Sequence, residues 1–113
     1  MLDSLADDVA HDINQGERQV GKFRFRAFLA HMGRCYRERL EDIVLTVDAT
    51  GKRAAAEFVV HGEYLVTDEG LPDAHGQIYE LRAGAFIAVE GGKITRHTMC
   101  YNLQDWTRQV RAT

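Results

Sequence analysis

Gly91-Gly92-Lys93-Ile94-Thr95-Arg96-His97-Thr98-Met99-Cys100-Tyr101-Asn102-Leu103-Gln104-Asp105-Trp106 is the stretch on which the fold turns. The glycine pair predicts a hairpin turn, the run after it a strand, and Asn102 the point where the strand breaks into a short amphipathic helix over Leu103 to Val110. Asn102 and Asp105 stand three residues apart, resembling a capping box, so a helix cap competes with any ligand-binding role for Asn102. Trp106 falls on one face with Leu103 and Val110, as core or as a pocket wall.

Outward from that segment, Lys93 to Tyr101, Gln77 to Glu90, Arg53 to Thr67 and Asp42 to Val47 read as four sequential strands. Glu90-Gly91-Gly92 and Asp48 to Lys52 have the composition of hairpin turns, and Asp68 to His75 is a longer loop holding the one proline, Pro72. Four sequential antiparallel strands make a meander, and strands this long twist and curl rather than stay flat. Before them, Phe25, Phe28, Leu29, Met32, Cys35 and Tyr36 recur at helical spacing, which predicts one amphipathic helix over residues 21 to 39. The start reads as the end of a helix at Leu2 to Ala6, a strand from Val9 to Asn14 and a turn at Gln15-Gly16. The fold class is therefore α+β: a strongly curved antiparallel β-sheet wrapped around a long helix.

A length of 113 residues makes residues 1–113 one domain with a single core. The net charge of −3, with Lys and Arg scattered, argues against nucleic acid as a partner, because phosphate binding needs clustered positive charge. Cys35 and Cys100 lack metal or disulfide spacing and read as reduced and buried. The start has neither a basic region nor an apolar run of signal length, and no stretch is long enough to cross a membrane, so a cytoplasmic location is expected. The five histidines show no His-x-x-x-His pair and no tight acid cluster, which predicts no metal site.

Three segments in order resemble SnoaL-like proteins, relatives of the ketosteroid isomerases in the nuclear transport factor 2-like superfamily. They are Leu5-Ala6-Asp7-Asp8-Val9-Ala10-His11-Asp12, then His61-Gly62-Glu63-Tyr64-Leu65 with Leu71-Pro72 and Gly76, and finally Gly92-Lys93-Ile94 through Cys100-Tyr101-Asn102 to Leu103 and Trp106. The resemblance implies a cone-like α+β barrel around a pocket for a small hydrophobic molecule, no cofactor and a homodimer. It also implies a first helix that is missing or truncated here, since members of the superfamily open with a longer helix ahead of the Leu-x-Asp-Asp segment. Two departures stand out. Asn102 occupies a place where SnoaL-like cyclases commonly have an acid, and an amide cannot take a proton from carbon near pH 7. The acid that helps hold the dienolate oxygen in ketosteroid isomerases would fall, by the same resemblance, at about Ala85. Asp12 lies near the position of the isomerase general base.

Four residues are candidates for catalysis: Asp12, His11, His61 and Tyr64. As strand neighbours, His11 and Asp12 point to opposite faces, so only one of them lines the pocket. Asp12 reads either as a base whose pKa is raised by apolar surroundings or as a turn acid binding backbone amides near Asn14 and Gly16. On the strand from Arg53, alternation puts Glu57, Val59, His61 and Glu63 on one face, either as a proton-transfer group or as a wet or dimer-forming surface. The other face, with Phe58, Val60 and Tyr64, packs on the long helix. Tyr64 and Tyr101 offer phenols for a substrate carbonyl, and Phe28, Met32, Tyr101, Asn102 and Trp106 are the candidate ligand-binding set. His97 reads as a surface histidine.

These readings lead to a SnoaL-like pocket protein acting on a small hydrophobic carbonyl or polyketide-like compound by proton transfer, as an isomerase, cyclase or dehydratase does. The alternative is a non-catalytic ligand-binding or dimerisation module of the same fold.

Overall fold

The computed structural model describes residues 2–14 and 16–112. A 3-10 turn, Leu2–Ser4, leads into β1 (Leu5–Ile13), followed by β2 (Glu17–Val20), α1 (Lys22–Cys35), β3 (Tyr36–Val47), β4 (Arg53–Tyr64), β5 (Gln77–Glu90), β6 (Lys93–Tyr101) and α2 (Leu103–Arg111). All six strands join one curved sheet in the order β2-β1-β6-β5-β4-β3. The four-strand meander read from the sequence is present as β3 to β6, with two strands added on the β6 side.

The additions correct the sequence reading in one respect: the sheet is mixed. β1 runs parallel to β6, with His11 opposite His97 and Asp12 opposite Thr98, while β2 folds back antiparallel on β1. The segment Leu5 to Asp8, expected as partly helical, is strand because Leu5 and Val9 are buried against Phe25 of α1. β2, Glu17-Arg18-Gln19-Val20, shows no apolar alternation in sequence and was not foreseen. Of the expected turn, Gln15 lies outside the described residues, and Gly16 at φ 91° sends its N–H back to the Ile13 carbonyl.

α1 ends at Cys35, four residues earlier than the apolar spacing predicts. Tyr36 already has extended dihedrals and pairs with Tyr64, so Arg37 to Arg39 continue β3 along β4. Charged residues fit a helix surface and an edge strand equally well, and pairing decides the matter. β3 then bulges between Glu41 and Val44, where Asp42 takes a positive φ of 54°. Asp tolerates that conformation better than most residues, and a bulge bends the strand it interrupts.

The inner face of β4 packs on α2, not on α1 as the alternation had suggested. Phe58, Val60 and Tyr64 join Tyr79, Leu81 and Ala85 of β5 around Trp106 and Val110. α2 can sit there because β6 ends opposite Ala83, leaving the lower half of β5 without a strand partner on that side. Gln109 fills the gap: its amide accepts from the Glu80 N–H at 2.9 Å and donates to the Glu80 carbonyl at 2.8 Å, satisfying backbone groups that would otherwise lie at an open edge. Asn102 caps α2 through its side-chain oxygen, which accepts from the Asp105 N–H at 3.0 Å. Among the described residues no helix is long and apolar enough to cross a membrane.

Candidate functional site

His11 lies on the inner face of β1 and is 3% exposed. α1 crosses above it, its helical period setting Phe25 and Phe28 on the side that faces the sheet. The His11 ring centroid is 4.3 Å from that of Phe25 and 4.6 Å from that of Phe28, and His97 from the neighbouring strand stands 5.7 Å away. His97 also meets Phe25 edge-on, so it is a half-buried member of this cluster rather than the surface histidine the sequence suggested. Met32 is half-buried further along α1.

Burial pushes the pKa of His11 down, the nearby His97 imidazole pushes it further, and the Asp12 charge opposes both. Burial likewise lowers His97, against a weaker opposing hydrogen bond to its own backbone. Both imidazoles are therefore neutral at pH 7. The Nδ1 atoms of both rings are buried with no hydrogen-bond partner among the described residues, as is Nδ2 of Asn14. Asn14 stands just past the end of β1, where its Oδ1 accepts from the Tyr101 N–H at 2.9 Å. Buried polar atoms without partners cost stability.

Asp12, the leading candidate base in the sequence, points to the opposite face. Arg18 of β2 donates to both of its carboxylate oxygens, at 2.5 and 3.0 Å, and the Thr98 hydroxyl donates at 2.7 Å. These bonds hold the carboxyl at about 2, against the opposing effect of desolvation. A carboxylate so stabilised is a poor proton acceptor, the reverse of the raised pKa that catalysis by Asp12 requires. His61 faces outward too. Its Nε2 lies 3.0 Å from Glu41 and its Nδ1 3.2 Å from Glu80, both on neighbouring strands, rather than against Glu57 or Glu63.

At the other end of the inner face sits an aromatic group. Tyr64 stacks on Tyr36 at 5.3 Å and meets Trp106 edge-on at 4.9 Å. The Tyr64 hydroxyl donates to the Pro72 carbonyl at 2.7 Å and accepts from the Asp68 N–H at 2.9 Å, so it pins the loop after β4 rather than facing a ligand. Trp106 is 3% exposed and serves as core. Tyr79 leans across Gly62, its partner on β4, to donate to Glu38 of β3; a Cβ on Gly62 would overlap the ring. Tyr101 differs from the others. Its hydroxyl makes no hydrogen bond among the described residues, and burial, with the Glu38 and Asp68 charges behind it, raises its pKa so that the phenol keeps its proton. It lies on the face of β6 that carries His97 and Met99. Between the two ends the floor is small and apolar, with Ala54, Ala56, Ala83, Ala85, Ile87 and Met99 on inner positions of β4, β5 and β6.

A curved sheet with a helix over each end of a small-residue inner face is the architecture of the nuclear transport factor 2-like class. Residues 1–97 match the model of the SnoaL-like domain, and the chain belongs to that family. A structure of a proposed polyketide cyclase from Pseudomonas putida is 63% identical, with a TM-score of 0.95 over 96% of this chain and 82% of that one. Proposed polyketide cyclases from Xanthomonas campestris and Silicibacter are 57% and 53% identical, with TM-scores of 0.93 and 0.94; each match covers 97% of this chain, and 82% and 80% of theirs. No match is found among curated proteins.

Proposed function

We propose that this protein binds a small hydrophobic carbonyl or polyketide-like compound and moves a proton at one of its carbons, with His11 as the base. The observation that carries this reading is the His11–His97 pair, one ring buried and the other half-buried, both neutral at pH 7 and each with an unpartnered Nδ1 among the described residues. A neutral imidazole nitrogen of His11 takes the proton next to the carbonyl, the C–H electron pair becomes the C=C bond of the enolate, and the carbonyl π pair moves onto the oxygen. The Tyr101 phenol, or the Nδ2–H of Asn14, donates to that oxygen as its charge develops. Returning the proton to another carbon completes an isomerisation; attack of the carbanion on a second carbonyl forms a ring. Neither step calls for a cofactor. Tyr64 and Asn102, the other oxygen-polarising candidates, are engaged with the loop and with the α2 cap.

A binding module without turnover is the second reading, favoured by the resemblance, which sets Asn102, and approximately Ala85, at places where SnoaL-like cyclases and ketosteroid isomerases commonly carry acids. Deuterium exchange distinguishes the two. In D2O, wild-type protein should exchange the α-protons of 2-tetralone faster than buffer, and His11→Leu should not. Saturable tetralone binding without exchange would leave the binding module and overturn catalysis. We also read the outer sheet face, where Val44, Ile78 and Phe86 stand exposed, as a homodimer surface; a monomer mass at all concentrations in sedimentation would refute it.

A further inference from the structure

At the C-terminal end of α1, away from the histidine pair, His31, Cys35 and Asp68 bring one imidazole nitrogen, one thiol sulfur and one carboxylate oxygen within 4.8 Å of one another. We propose that these three side chains form a binding site for a zinc-class divalent cation. His-x-x-x-His spacing does not reveal this group, because the helix pair is His31-x-x-x-Cys35 and the third donor comes from a loop 33 residues beyond Cys35 in the chain.

Three features favour a metal over a hydrogen-bonded cluster. The donor set of nitrogen, sulfur and oxygen suits zinc, and three protein ligands plus an open position is the usual arrangement of an accessible zinc site. The donors converge on one point instead of forming a relay: Asp68 Oδ1, at 2.8 Å, and Cys35 Sγ, at 3.9 Å, both approach the same His31 atom, Nε2. In a proton relay they would approach opposite ring nitrogens. Finally, the frame is fixed before any ion arrives. Residues 31 and 35 share a helix face one turn apart. The Cys35 carbonyl accepts from the N–H groups of Leu65 and Val66, at 2.8 and 3.3 Å, tying the loop that bears Asp68 to the helix end. The Tyr36 hydroxyl donates to Asp68 Oδ2 at 2.7 Å, the kind of outer contact that orients a ligating carboxylate.

Binding requires small adjustments. Sγ closes toward the carboxylate, the thiol proton leaves to solvent as the metal–sulfur bond forms, and the imidazole proton moves to Nδ1. Arg34, whose Nη2 lies 3.3 Å from that Nδ1, swings away, which its exposed position permits.

The test uses the tag-free, chelator-treated chain and Co2+ as a spectroscopic probe, followed by Zn2+ alone in calorimetry. We expect one Co2+ per chain, with a near-ultraviolet thiolate charge-transfer band and the strong visible bands of four-coordinate cobalt, all displaced by Zn2+. Cys35→Ser should abolish the charge-transfer band, Cys100→Ser should leave it, and His31→Gln and Asp68→Asn should each weaken zinc binding by about ten-fold or more. Should Cys35→Ser lose its native circular dichroism, His31→Gln carries the test, since that side chain is 40% exposed. A cobalt complex without a thiolate band, a band lost with Cys100→Ser instead, or zinc binding unmoved by His31→Gln would overturn the proposal.

Discussion

His11 and His97 occupy directly opposed positions on two parallel strands, and their ring centroids stand 5.7 Å apart. Charging either one places a cation beside the other in surroundings that already disfavour charge. The pair therefore stays neutral through a pH range where free imidazoles are protonated.

Stability should depend on pH accordingly. Both folded-state pKa values are lowered from 6.5, so as pH falls below that value the unfolded chain gains protons that the folded chain refuses. Stability is lost from about pH 6.5 downward until the folded values are passed, and then levels. Asp12, held at about 2, still contributes fully at pH 5. Urea midpoints at pH 7.5 and 5.0 should show a drop for the wild type and a smaller drop for the His11→Leu/His97→Leu double variant. An equal drop in both would place the effect elsewhere.

Replacing His11 alone should separate stability from function. His11→Leu removes a buried imidazole whose Nδ1 lacks a partner and keeps an apolar contact with Phe25 and Phe28. A gain of about 1 kcal/mol in chemical denaturation is expected, together with loss of ligand binding or exchange. A destabilised variant that keeps exchange would reverse the assignment.

Asp12→Asn should behave in the opposite manner. It removes an ion pair with Arg18, whose side chain is 54% exposed, so the cost should stay within about 1 kcal/mol. Exchange rates should remain within about two-fold of wild type, since the carboxylate lies on the outer face. A loss of a hundred-fold or more would restore Asp12 as the base.

The Tyr79 ring lying over Gly62 gives a test of the sheet itself. Gly62→Ala should destabilise by about 1 to 3 kcal/mol, because the ring and its bond to Glu38 must shift in a close-packed core. In a Tyr79→Leu background the same substitution should cost less, a coupling that a double-mutant cycle measures. Equal costs in both backgrounds would mean that the ring is not the obstacle.

Most of the architecture was legible in the sequence because it rests on local signals. Gly91 and Gly92, both at positive φ, make the turn that their pairing announced, and Asn102 caps the helix that its spacing announced. The polar strand Glu17–Val20 and the end of α1 were not legible, because strand pairing decided them over weak local preference. The site was half legible. Strand alternation required His11 and Asp12 to face opposite ways, but the choice between them turned on Arg18 and Thr98, one on an unforeseen strand and the other 86 residues away in sequence. His97 was misread because an isolated histidine in a strand gives no sign of the ring it will meet on a neighbour. His31, Cys35 and Asp68 were invisible as a group for the same reason.

The most direct measurement is a two-dimensional proton–carbon NMR spectrum of the histidine rings during titration with 2-naphthol, a flat phenol resembling the enol of a cyclic ketone. Saturable shifts at His11 and His97, with His61 on the outer face unmoved, are the expected result. Shifts confined to His61, or none at His11 and His97 at saturating 2-naphthol, would contradict ligand binding at the His11–His97 pair.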